Sequence, residues 1–407
     1  MECKHRKRTR ILERLLLKDI VNDLPEKHIS LIIGARQTGK TTLLKQTSQI
    51  LKKDKRSVFY FTLEDKEILN LLDENPKNLL QLIAKPDEKE RRYVLIDEIQ
   101  YLKDPSNFLK YLYDTYLENI KFIVTGSSSF YIDRKFKDSL AGRKRIYELP
   151  TMSLKEVLVF KGEDELAAVL NTESIPLIYL DRIKEHFYDY LIWGGYPEVV
   201  LSGSEKAKKA ALNEIADSYA KKDAVESNLG FQDKYIKLMK LFASRIGELL
   251  NVNSLASDIA MDNKTVSQYI WVMRKSFHIH LLQPYYNNIS SELRKMPKLY
   301  FADIGLRNAL INNYSPIGLR QDKGGLLENY VYLQLKDKYG LENTKFWRTN
   351  DKNEVDFVVQ NDKGKLYAYE VKYDKSAFSE IKYRAFTNAY PKIPLKCISL
   401  ESALKLF

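Results

Sequence analysis

An apolar run, Ile29 to Ile33, passes directly into Gly34-Ala35-Arg36-Gln37-Thr38-Gly39-Lys40-Thr41, and an amphipathic segment follows. Gly34 and Gly39 permit backbone torsions that turn successive amides inward. A helix beginning near Lys40 adds the positive end of its dipole. A strand, a loop of this spacing and a helix, in that order, form a phosphate-binding loop. The candidate nucleotide cradle is therefore Gly34, Ala35, Arg36, Gln37, Thr38, Gly39, Lys40, Thr41 and Thr42. Lys40 would face the β- and γ-phosphates of ATP, Thr41 would offer its hydroxyl to Mg²⁺, and Thr42 would reach the α-phosphate.

Further along, the apolar run Tyr93 to Ile96 ends in the acids Asp97 and Glu98. Asp97 can orient Mg²⁺, and Glu98, just beyond the strand end, can accept a proton from an attacking water. Two adjacent acids point to hydrolysis as well as binding. The run Lys121 to Thr125 ends in Gly126-Ser127-Ser128, which makes Ser127 a candidate sensor of the γ-phosphate. Arg143, before the run at 145–149, is a candidate for stabilising transferred-phosphate charge, from its own subunit or a neighbour. Runs at 29–33, 58–63, 93–96, 121–125 and 145–149 alternate with amphipathic segments. That alternation predicts an α/β fold, with five buried strands in a parallel sheet covered by helices.

Helical spacing replaces strand signals from about Thr151 to Ala224, as in a lid or connector. Residues 232–282 hold three helical patterns, with Asn253 or Ser254 capping the second and Asp262 or Asn263 the third. The third opens with Lys264, Thr265, Ser267 and Gln268, suited to phosphate or base edges, while Val266, Tyr269, Ile270 and Met273 supply a core face. Asn312 to Gly325 reads as a linker. A helix carrying Glu328 follows, then strands near 344–349, 354–360 and 366–372, a helical segment and a strand near 395–400. Strand alternation puts Glu370 and Lys372 on one face. Asp356 and Glu370, with Glu328, could bind Mg²⁺ beside Lys372, or the same charges could simply pair on an exposed strand.

The loop, Asp97-Glu98, Thr125-Gly126-Ser127 and Ala141-Gly142-Arg143, in this order, resemble AAA-type ATPases of the additional-strand class. Gly194-Gly195-Tyr196-Pro197, the stretch Lys298 to Leu306 and Glu370-Val371-Lys372 extend the resemblance to a prokaryotic AAA-type family with an uncharacterised C-terminal region. The resemblance implies strand order 5-1-4-3-2, a winged-helix element and a PD-(D/E)xK nuclease-like fold. It divides the chain into an ATPase domain (1–160), a helical lid (161–230), a winged-helix-like domain (231–320) and a nuclease-like domain (321–407).

Across 407 residues, 44% are hydrophobic and 29% charged, and no apolar stretch approaches the roughly 18 residues of a membrane span. The basic segment Met1 to Arg10 lacks the apolar core of a secretory signal. These features predict a soluble, cytoplasmic protein with no membrane partner. Cys3 and Cys397 have no metal-ligand spacing and read as unpaired thiols. A net charge of +12 suits a polyanionic partner such as DNA and equally solubility or docking to an acidic protein, while an Arg143 supplied from a neighbouring subunit would require a homo-oligomer. Three functional classes follow: an Mg²⁺-dependent ATPase serving nucleic-acid handling or defence, an ATP-dependent switch or scaffold for a protein partner, and an ATP-controlled nuclease.

Overall fold

The computed structural model describes residues 12–83, 91–116, 118–127, 140, 142–170, 172, 175–226, 232–285 and 296–406. The basic segment Met1 to Arg10, Cys3, Ser128 and Ala141 lie outside them. The chain forms two compact units, divided between Pro150 and Thr151.

In the first unit, β1 (Ile29–Ile33), β2 (Val58–Thr62), β3 (Arg92–Asp97), β4 (Ile120–Gly126) and β5 (Lys144–Glu148) form a sheet of order β2-β3-β4-β1-β5. Every pairing is parallel. The sheet has the topology of a P-loop NTPase. β1, β3 and β4 are buried throughout, whereas β2 is half-buried and β5 largely exposed. The expectation of five buried strands is corrected for these two. Each is an edge strand with a neighbour on one side only, so apolar composition overstated its burial.

Helices join β1 to β2, β2 to β3 and β3 to β4, and the helix Lys40–Lys53 buries Leu43, Leu44 and Leu51 against Ile32, Leu95 and Ile123. The helix Leu16–Asp23 adds Leu17 and Ile20 to the same core. At the N-terminal ends of β1, β4 and β5, buried Asp23 accepts from Ser30 Oγ (2.5 Å), Lys121 Nζ (3.1 Å) and Arg145 Nη1 (3.0 Å). Burial alone would raise the Asp23 pKa, but the Ser30 hydroxyl and the Lys121 charge hold it down to about 2. This pairing is why a lysine is tolerated inside β4.

In the second unit, helices Leu154–Phe160, Asp164–Val169, Leu177–Trp193, Pro197–Leu201 and Glu205–Glu226 follow one another. Ser153 and Glu156 form a capping box at the first. Helices Gln232–Ser244, Val252–Asp258 and Asn263–Lys275 come next, then the antiparallel hairpin β6 (Ile279–Leu282) and β7 (Lys298–Phe301). Asp262 caps the third helix as expected, but Asn251, not Asn253 or Ser254, caps the second, because that helix already begins at Val252.

The helix Lys323–Tyr339 then covers a sheet of order β11-β10-β9-β8, built from β8 (Thr344–Arg348), β9 (Glu354–Gln360), β10 (Leu366–Lys372) and β11 (Leu395–Ser399). Only the β10–β11 pair is parallel. One apolar core runs from Met152 through Phe187 and Tyr330 to Phe357 and Leu404, so the helical segments and this sheet share an interior.

Two sequence motifs are explained by close packing within this unit. A Cβ on Gly305 would lie 2.0 Å from Trp193 O, and one on Gly195 would lie 2.1 Å from Met152 O. Buried Asp303 accepts from Leu306 N and Gly195 N, each at 2.8 Å, capping the helix Ile304–Leu310 and tying it to the end of Leu177–Trp193. The segment expected to be a linker is also tied down. Ile317 and Arg320 are buried, and Arg320 donates to Asn313 O, Asn308 Oδ1 and Asp322.

Candidate functional site

At the carboxyl end of β1 the chain enters the loop through Gly34, where a Cβ would meet Leu149 O at 2.3 Å. Gln37 and Gly39 have φ of 61° and 96°, the left-handed turns that fold the loop over the start of the helix Lys40–Lys53. Gly39 offers that helix no side-chain cap, so its first-turn amides are available to an anionic oxygen. Buried Lys40 folds back onto the loop, donating to Gly34 O (3.0 Å) and Ala35 O (2.7 Å). Burial lowers its pKa to about 8 although the Glu98 and Asp97 carboxylates oppose that shift. A buried ammonium resting on two loop carbonyls, beside uncapped helix amides, fits a polyphosphate. The Thr38 hydroxyl instead donates to Ala35 O within the loop (2.9 Å), and Thr42 is exposed.

β3 delivers two acids in different directions. Asp97 Oδ2 accepts from Thr41 Oγ1 (2.7 Å) and Tyr60 OH (3.1 Å), and its other oxygen accepts from Thr125 Oγ1. Thr41 and Asp97 are thus adjacent, as ligands of one Mg²⁺ ion would need to be. Glu98 has φ 59° and ψ 50°, a left-handed conformation that costs a non-glycine residue about 1–2 kcal/mol. Its backbone N–H donates to Thr125 Oγ1 (3.0 Å), which helps to hold the turn. The turn sends its carboxylate to Ser127, whose hydroxyl donates to Glu98 Oε2 at 2.9 Å. Gln100 Nε2 donates to Ser127 Oγ (2.8 Å) and to Glu98.

Lys40, Thr41, Asp97, Glu98 and Ser127 are therefore brought together at the carboxyl ends of β1, β3 and β4. Arg143 is not. Its carbonyl accepts from Ile29 N at the opposite end of β1, and its guanidinium pairs with Asp114 at 2.7 Å. Strand β1 separates it from the loop of its own subunit, so the expectation is corrected there. Sequence reading missed Arg14, Tyr60, Gln100 and the Asp97 role of Thr125. Buried Arg14 donates to Thr38 O (2.6 Å) and Pro150 O (2.8 Å), pinning the loop from outside its motif. The position of Thr125 at the end of a buried strand, level with Asp97, was the one available signal.

A second constellation lies where hairpin β6–β7 meets the C-terminal sheet. Glu328, Asp356, Glu370 and Lys372 do converge there. Lys372 Nζ donates to Glu370 Oε1, Glu370 Oε2 accepts from Asp356 N (3.3 Å), and Asp356 Oδ2 accepts from Val371 N (2.8 Å). Burial, then the Asp356 charge, pushes the Glu370 carboxyl up to about 7. Lys298, from β7, packs against the Glu328 and Asp356 side of the group. Its ammonium lies 2.6 Å from Glu354, 3.0 Å from Glu328 and 3.5 Å from Asp356. Burial alone would lower its pKa, but Glu328, Asp356 and Glu354 together hold it well above the ordinary lysine value. Among the described residues no three His, Cys, Asp or Glu side chains stand as a metal-holding group. Of the three acids expected to hold Mg²⁺, Glu328 and Asp356 contact the Lys298 ammonium and Glu370 contacts Lys372.

Residues 26–158 match a family described as an AAA domain. Residues 184–317 and 323–401 match two domains of unknown function, DUF8612 and DUF4143. An uncharacterised protein of Methanocaldococcus jannaschii is 27% identical over 399 residues, covering 95% of this chain and 84% of its own. One of Haemophilus influenzae is 25% identical over 371 residues, covering 87% and 86%. Among solved structures, the replication initiator DnaA bound to AMPPCP and single-stranded DNA is 16% identical over 64% of this chain and 86% of its own, at a TM-score of 0.30. The Thermotoga maritima RuvB branch migration motor is 17% identical over 66% and 89%, also at 0.30. The first unit has a P-loop NTPase fold of AAA type, and it is followed by two regions whose families have no assigned function. Among the described residues no helix is long and apolar enough to cross a membrane.

Proposed function

We propose that the chain is an Mg²⁺-dependent ATPase whose turnover serves nucleic-acid handling. The observation that carries this reading is the paired relay at the loop: Thr41 on Asp97, and Ser127 on Glu98, with Lys40 between them and the phosphate cradle. Gly34 to Thr42 would hold the phosphates, and Thr41 with Asp97 would hold Mg²⁺, which supplies charge neutralisation at the phosphates when bound. Glu98 would take a proton from water, and the Ser127 hydroxyl that donates to it would orient that carboxylate. Arg143 would act at the site of a neighbouring subunit in a homo-oligomer.

The nucleic-acid part rests on the second unit. Helices Gln232–Ser244, Val252–Asp258 and Asn263–Lys275 with hairpin β6–β7 follow each other as in a winged helix. The third helix exposes Lys264, Ser267, Gln268, Trp271 and Arg274 while burying Val266, Tyr269, Ile270 and Met273. That spacing sets polar, basic and aromatic groups along one face, a composition suited to phosphate and base contact. Thr265 is not among them, since its hydroxyl caps the helix through Asp262 (2.6 Å).

The test is Mg²⁺-dependent phosphate release by the full chain, with and without duplex or single-stranded DNA. Release stimulated by DNA and lost in Lys40→Ala and Glu98→Gln is expected. Tight ATP binding without release under any condition would overturn the enzyme reading in favour of a nucleotide-dependent switch or scaffold engaging a protein partner.

A further inference from the structure

We propose that Lys298 is the resident cation of the acidic cluster in the C-terminal sheet, so that this cluster takes no divalent metal and anchors hairpin β6–β7 instead of cutting phosphodiesters. The residue types at Glu328, Asp356, Glu370 and Lys372 imply a metal centre, and their surroundings do not fit one. Lys298 is 2% exposed, and its ammonium contacts three carboxylates from two elements, Glu328 on the helix Lys323–Tyr339 and Glu354 and Asp356 on β9.

The oxygens of Asp356, Glu370 and Glu354 are also in use. Asp356 gives one oxygen to Lys298 and the other to Val371 N. Glu370 gives its two to Lys372 and to Asp356 N. Glu354 gives its two to Lys298 and Arg348. A divalent cation needs carboxylate oxygens turned toward one point at about 2.0–2.6 Å. Here a fixed positive charge sits against Glu328, Glu354 and Asp356, and both oxygens of Asp356, Glu370 and Glu354 already accept from N–H donors.

The hairpin supplies the occupant by strand periodicity. Lys298 and Tyr300, two residues apart on β7, face the same way, and Tyr300 OH donates to the Glu328 oxygen that Lys298 holds (2.6 Å). Removing either end of this contact strands buried charge, so the hairpin and the sheet are fastened together through it.

The experiment is a Mn²⁺ titration of the nucleotide-free full chain by calorimetry, comparing wild type, Asp356→Asn, Lys298→Met and the Lys298→Met/Asp356→Asn pair. Wild type and Asp356→Asn are expected to give superimposable isotherms. Lys298→Met is expected to gain one saturable equivalent at least tenfold tighter than any wild-type binding, lost again in the double variant. Mn²⁺ binding, or Mn²⁺-dependent DNA cleavage, by wild type that disappears in Asp356→Asn would overturn the proposal. So would a folded Lys298→Met with no Asp356-dependent gain. If Lys298→Met does not fold, the wild-type and Asp356→Asn comparison decides alone. None of these readings depends on the ATPase assay.

Discussion

Arg14 lies outside every motif and yet holds the phosphate loop, which makes Arg14→Ala the most informative single substitution. The guanidinium donates to Thr38 O at 2.6 Å and Pro150 O at 2.8 Å, and the residue is 6% exposed. A hydrogen bond to a charged group contributes about 1.5–3 kcal/mol. Water can reach the half-buried Pro150 carbonyl, so the lower end applies to both bonds, and their loss should total about 3 kcal/mol. In a unit ending at Pro150, that is about 6–12 °C of melting temperature, readable by calorimetry of the full chain. The Thr38 carbonyl would also lose its anchor, loosening the loop that must be organised around phosphate. Binding of a non-hydrolysable ATP analogue should weaken about tenfold, equivalent to about 1.4 kcal/mol. Arg14→Lys keeps the charge without the two-pronged donor geometry and should fall between. An Arg14→Ala protein that melts within about 2 °C of wild type and binds the analogue equally well would refute the reasoning.

Because burial lowers the Lys40 pKa to about 8, the free protein should lose that ammonium proton as pH rises through about 8, whereas a bound polyphosphate would hold it on. Binding should therefore take up close to one proton at pH 9 and weaken up to about tenfold per pH unit above 8, as calorimetry in buffers of different ionisation heat can measure; pH-independent affinity from 7 to 9 would count against it. The stability contribution has the opposite sign: with the folded pKa below the usual lysine value of 10.5, the unfolded chain binds more protons between about 8 and 10.5, so this group stabilises the free protein as pH rises through that window. In the second unit, Gly305→Ala should prevent normal packing, costing more than about 4 kcal/mol, since its Cβ would lie 2.0 Å from Trp193 O. Gly324→Ala, in the helix Lys323–Tyr339 with open space around it, should be neutral or stabilise by up to about 1 kcal/mol. Equal melting temperatures for the two variants would refute the packing account of the Lys298 to Leu306 motif.

Much of the nucleotide site could be read because its parts are local. Gly34 and Gly39 set backbone torsions within a few residues of themselves, Lys40 starts the helix, and the apolar run at 93–96 ends where Asp97 and Glu98 begin. Asp262 caps the helix that begins at Asn263 by accepting from Thr265 N, three residues on, and the buried face of Val266, Tyr269, Ile270 and Met273 follows from 3.6-residue periodicity. The acids Glu328, Asp356 and Glu370 were visible as residue types at strand and helix positions.

What occupies the space between such residues is a different matter. Arg14 reaches Pro150 across 136 positions, Tyr60 reaches Asp97 across 37, and Lys298 reaches Asp356 across 58. No periodicity encodes these meetings. Arg143 had suitable chemistry and an apt place in the motif order, but parallel pairing of β5 with β1 set it at the far end of the strand from the loop. By itself the sequence determined which torsions the loop requires and which face of a helix such as Asn263–Lys275 is apolar, because those depend on neighbours a turn or a strand-step away. Only the tertiary structure decided which strands are edges, which arginine holds the loop, and that a lysine fills the acidic cluster, because packing chooses partners by proximity in space among groups the chain keeps far apart.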